Sequence, residues 1–225
     1  MALSSNNAGW LRGRHILLGV LAIAAVVVIG GVSGIQGTPR SLTLNFGAHR
    51  AVSAIMQLSL NDRMVIDRSQ KGRNEGSTID YMDGQGDVLD FAVAWYDIAD
   101  DQGYAARFRL HASDLSLIGE TGHAAVRIVV GPGADVTATT TNAEAARLIR
   151  ERRGGELPSL AGAPDIVLAE ICADALGDES PVLQSLKSDA DLYKGSQQRA
   201  LNDQGRTDYL ARNGPVVARC VQNES

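Results

Sequence analysis

Apolar residues recur at every second position from residue 41 to about residue 140, and at every third or fourth position after that. A period of two belongs to strands with one buried face, and a period near 3.6 belongs to helices. In 41–46, Leu42, Leu44 and Phe46 share one face. In 51–60, Val52, Ala54, Met56, Leu58 and Leu60 alternate, and Ile55 breaks the pattern. Asn61 and Asp62 signal a turn before a short strand at 64–66. Residues 68–77 hold no large apolar side chain and read as an exposed loop.

The clearest pattern is a hairpin. Leu89, Phe91, Val93 and Trp95 share a face of 88–98, and Tyr104, Ala106, Phe108 and Leu110 share a face of 104–110. The intervening Ala-Asp-Asp-Gln-Gly is a turn by composition. Six of the ten aromatic residues fall between 81 and 108, which puts the aromatic body of the core here. The second face of 88–98 is also largely apolar, with Val88, Ala92, Ala94, Tyr96 and Ile98. A strand apolar on both faces is central and covered on both sides. The C-terminal helices or a partner would supply the second cover. Further strands are expected at 124–130 and 136–140.

After Thr140 the period changes. Thr141 and Glu144 have capping-box spacing, in which the Thr oxygen and the Glu side chain satisfy free backbone N–H groups at a helix start. A helix is expected from there to Arg152, followed by a Pro/Gly linker at 156–164. Asp165 reads as the cap of a helix over 166–176, and two more helices are expected within 181–193 and at 196–212. Gly205 inside the last costs that helix about 1 kcal/mol relative to Ala. Residues 216–221 read as a final strand or as a tail pinned by Cys220. Strands first and helices second give an α+β chain. Its expected parts are a tail (1–15), an apolar segment (16–35), a mostly antiparallel β-sandwich-like body (41–140) and a small helical region (141–225).

Residues 16–35 contain no charge and one polar side chain, Ser33. About 20 apolar residues are enough for a helix to cross a bilayer. Arg12 and Arg14 precede the run with no acid nearby, which favours a cytoplasmic N-terminus and an extracytoplasmic body. The rival reading is a signal peptide cut after Gly34, but Val32 three positions before that cut fits the small-residue pattern poorly. Gly30, Gly31 and Gly34 would let a second membrane helix approach closely.

Beyond residue 35 there are 19 basic residues against 26 acidic ones, a formal charge of −7. That balance argues against nucleic acid as a partner. The two cysteines, Cys172 and Cys220, fit a disulfide in an oxidising compartment. No CxxC or Cys/His cluster points to a metal or haem, and no cofactor motif is present.

Candidate chemistry is sparse. The acids at 80–90 and 97–101 sit among glycines, where turn formation explains them. His49, His111 and His123 stand near strand ends with no nucleophile motif. Tyr96, Arg107 and Arg109 are the candidate interaction residues, since both arginines leave the same outer face and can frame an acidic group or pair with Asp90.

These features lead to the expectation of a non-catalytic binding or accessory protein anchored in the membrane, a small subunit or assembly factor whose partners are the bilayer and another membrane protein. An exported hydrolase of cell-wall or glycan material would instead need convergent carboxylates. A small-ligand or inhibitor module would need an open apolar cavity near Tyr96.

Overall fold

The computed structural model describes residues 39–70, 75–80, 86–118, 122–142 and 165–220. The expected membrane segment with Gly30, Gly31 and Gly34, the tail before it and the helix after Thr141 lie outside these residues. Among the described residues no helix is long and apolar enough to cross a membrane.

The body is two packed sheets. The first is built from β1 (Ser41–Ala48), β4 (Glu75–Asp80), β7 (Leu117–Ile118), β8 (His123–Val130), β9 (Asp135–Thr140) and β10 (Ile166–Cys172). Their order is β10-β9-β8-β1-β4, with β7 also on β8. The second contains β2 (Ala54–Leu60), β3 (Arg63–Gln70), β5 (Val88–Asp97), β6 (Gln102–His111) and β11 (Asp174–Ala175), in the order β11-β6-β5-β2-β3. All pairings are antiparallel except β1 with β8.

The period-2 residues meet between the sheets. Leu42, Leu44 and Phe46 from β1 face Met56, Leu58, Phe91 and Trp95, all essentially inaccessible to solvent. Phe91 stacks on Phe108 and Trp95 on Tyr104, each with ring centroids 5.2 Å apart. These two cross-strand pairs hold the register of the hairpin.

Helices α1 (Pro181–Tyr193) and α2 (Gln197–Asn213) follow the strands. Ser180 and Ser196 cap them, accepting from Leu183 N–H and Arg199 N–H. Leu183, Leu186, Ala190 and Tyr193 form one stripe of α1 and bury Ile55, Ala94 and Tyr96. The second face of β5 is thus covered by the chain's own helix. Ile55, the break in the alternation of β2, is the point where α1 docks.

Two segments depart from the sequence pattern. Residues 166–176, which read as a helix capped by Asp165, form β10 and β11. The edges of β9 and β6 offer unpaired backbone groups, and satisfying them outweighs local helix propensity. The chain passes from one sheet to the other through buried Ala173. Residues 68–70 and 75–77, polar enough to read as loop, extend β3 and open β4 (Glu75–Asp80) at sheet edges. An edge strand needs backbone partners more than apolar side chains.

The tail after α2 is not a strand, yet it is held at several points. Cys172 and Cys220 are bonded with an S–S distance of 2.00 Å. The Asp135 carboxylate accepts from the backbone N–H of Arg219 and of Cys220 at 2.8 and 2.7 Å. Arg219 pairs with Glu170 at 2.6 Å and donates to the carbonyls of Val136 and Ile171.

Two outcomes test this packing. A Cβ added at Gly103 would lie 2.5 Å from Leu183 Cδ1, so Gly103→Ala should cost about 1–3 kcal/mol by pushing α1 off β6, read as a lower denaturation midpoint. Replacing both cysteines by serine should cost on the order of 4 kcal/mol for a span of 48 residues, read by the same titration.

Candidate functional site

The outer face of the second sheet has a covered end and a bare end. At the covered end Tyr96 lies under α1, 9% exposed. Its hydroxyl donates to Asp101 Oδ1 at 2.7 Å. Lys187 Nζ sits 5.6 Å from the ring centroid and 3.2 Å from the same carboxylate oxygen. Burial, followed by the neighbouring Asp101 carboxylate, pushes the Tyr96 phenol up to about 12. The Tyr96 hydroxyl and then Lys187 hold the Asp101 carboxyl below the usual carboxylate range. The space beside Tyr96 is filled by Leu183, Leu186, Ala190 and Tyr193.

At the bare end Arg109 Nε pairs with Asp90 at 3.2 Å, and Arg107 lies 3.8 Å from Asp62. Exposed pairs of this kind contribute about 0–1 kcal/mol. Arg107 and Arg109 share a sheet face with Tyr96 but stand roughly 13 and 20 Å along the strand from its level, at 3.3 Å per residue. The three therefore do not form one site.

Asp97 is buried and accepts from Ala99 N–H at 3.0 Å, while Asp87 faces His111 at 3.8 Å. Among the described residues no three His, Cys, Asp or Glu side chains are grouped to hold a metal ion. His123 lies between two hydroxyls, Ser41 Oγ at 2.7 Å and Thr43 Oγ1 at 3.1 Å.

A different place is concave. Arg40 N–H bonds Gly122 at one end of the sandwich, where the chain enters β1. Eight residues later, roughly 25 Å on, β1 ends beside Val130. At this far end the 49–53 connection, the turn after β5 and the Gly131–Pro132 turn come together, and α2 lies across them. Arg206 Nε donates to Ala51 O at 2.8 Å, Ser53 Oγ reaches Asp203 at 3.5 Å, and the rings of Tyr209 and His49 meet edge-on at 5.4 Å.

Two clefts flank α2. One, of about 410 Å³, lies between α2, the tail at Pro215 and Val216, and Val52, Asp97, Asp100 and Pro132. The other, of about 280 Å³, is lined by Arg50, Leu201, Asn202, Gly205, Arg206, Tyr209 and Arg212. Arg206 borders both. The helix between them buries only Asn202, which donates to Tyr193 Oη and so ties α2 to α1. Leu201 is 67% exposed.

Sequence reasoning singled out none of Arg50, Arg206, Tyr209 or Arg212. Arg50 is about 160 positions from the others, and only the docking of α2 brings it near. The one local sign was Gly205, unfavourable within a helix.

The Tyr96 joint makes a measurable forecast. The native state keeps the phenol proton that the unfolded chain releases near pH 10, so stability should fall as pH rises from about 10 to about 12. Asp101→Asn should shift Tyr96 ionisation to lower pH, read as tyrosinate absorbance, while burial keeps it above that of a free tyrosine. No protein-family model, curated protein or solved structure matches this chain.

Proposed function

We propose that the chain is a non-catalytic binding or accessory protein, held at a membrane by residues 16–35, that works through contacts made by its extracytoplasmic body. The observation that carries this reading is α2, a 17-residue helix in which a single side chain is buried. Helices in globular proteins draw most of their stability from packing an apolar face. This one packs little and presents Leu201 to solvent at the sandwich end opposite the point where the chain enters β1. A helix so placed offers an unburied face to a partner's extracytoplasmic part. The Cys172–Cys220 bond supports the same compartment, because such bonds persist where conditions are oxidising.

Affinity capture of the full chain from gently solubilised membranes should bring down a partner in fixed proportion, and Leu201→Asp should release it without lowering the denaturation midpoint. Migration of the wild type as a bare monomer overturns the reading. A tag appended after residue 225 should be reached by a membrane-impermeant reagent from the extracytoplasmic side only.

A further inference from the structure

We propose that the smaller cleft on α2 is a binding site for a compact organic oxyanion, a soluble molecule bearing carboxylate or phosphate groups, held by Arg50, Arg206, Arg212 and Tyr209. The inference concerns a small ligand and is independent of the accessory reading.

Charge is the first argument. The body of this protein is acidic, yet three arginines, Arg50, Arg206 and Arg212, line one cleft. Four arginines elsewhere face carboxylates: Arg107 faces Asp62, Arg109 faces Asp90, Arg199 faces Asp203 and Arg219 faces Glu170. Arg206 and Arg212 have no ion-pair partner among the described residues. The acids nearest to them on α2 are engaged: Asp203 with Arg199 and Ser53, Asp208 with Gln204. Asp97 and Asp100 lie across Arg206, in the larger cleft. Like charges gathered this way favour an anion between them.

Geometry is the second. Arg206 Nε is fixed on Ala51 O at 2.8 Å and Arg212 Nε on Asp208 O at 3.0 Å. Both side chains are thereby oriented from within, and their terminal Nη groups remain as planar donors matched to an oxyanion. The ring of Tyr209 is steadied by His49, and its hydroxyl adds a further donor. A volume of about 280 Å³ suits a molecule of a few carbons rather than a polymer segment.

Gly205 is the third. It costs α2 about 1 kcal/mol relative to Ala. The fold does not demand it, because a Cβ built there meets no atom within 4 Å. Its place is on the cleft wall, where a missing side chain leaves room for a ligand to approach the helix backbone.

The test uses the full chain in dodecyl maltoside micelles at matched ionic strength, with citrate and inorganic phosphate as probes in calorimetric titrations. Saturable binding of either is expected, weakened at least about tenfold by Arg212→Gln, a change on an exposed helix end that the fold tolerates. Gly205→Ala should weaken binding while raising the denaturation midpoint, a combination that a merely structural glycine does not give. No saturable binding, or binding indifferent to both substitutions, overturns the proposal. Doping the micelles with phosphatidylglycerol should leave citrate binding unchanged. If that lipid abolishes it through the same arginines, the ligand is a headgroup and the soluble-anion assignment fails. A wild-type chain that captures no partner yet binds citrate would sink the accessory reading and leave this one standing.

Discussion

A strand apolar on both faces cannot lie on a surface, and the architecture follows from that constraint at β5. Its inner face, Leu89 to Trp95, is closed by the first sheet. Its outer face at Ala94 and Tyr96 is closed by α1. Neither cover is complete alone, and each large aliphatic or aromatic side chain left wet would forgo roughly 1.5–3 kcal/mol. The fold is therefore three layers where β5 is doubly apolar and two layers where its outer face turns polar, at Asp90 with Arg109. The position of α1 along the sheet is set by where that change occurs.

Placing α1 there fixes what comes next. Only Lys194–Ser196 separate the two helices, and Asn202 bonds back to Tyr193, so α2 emerges across the 49–53 connection. The tail then returns to the first sheet, where Asp135, Arg219 and the disulfide hold it. α2 is thus suspended between α1 and the tail, anchored at both ends and little buried between them. That arrangement explains how a poorly packed helix keeps a defined place, and it opens a cleft on each side. The disulfide, though formed late in the chain, braces the sandwich itself, since Cys172 belongs to β10 and Cys220 is buried in the main core.

Much of this was legible in the order of residues. Alternation marked β1, β2, β5 and β6, because a half-buried strand must present apolar side chains to one side. The two helices were legible within 181–193 and at 196–212, and the structure has them at Pro181–Tyr193 and Gln197–Asn213. The double apolar face of β5 announced a second cover. By contrast, β4 and β10 left no reliable mark. The stretch Glu-Gly-Ser-Thr-Ile-Asp becomes a strand because β1 has a free edge beside it. Residues 166–172 satisfy a helix about as well as a strand, and the edge of β9 decides.

The chain by itself determined the local periods, the two C-terminal helices and the hairpin, all of which depend on neighbours close in sequence, and its cysteine count pointed to the disulfide. Tertiary structure alone decided the parallel pairing of β1 with β8, the passage of the chain between sheets at Ala173, and the meeting of Arg50 with the arginines of α2. Those features join residues some 26 to 162 positions apart. Their physical cause is the need to satisfy sheet edges and cover apolar faces across the whole body, a demand that no local run of residues records.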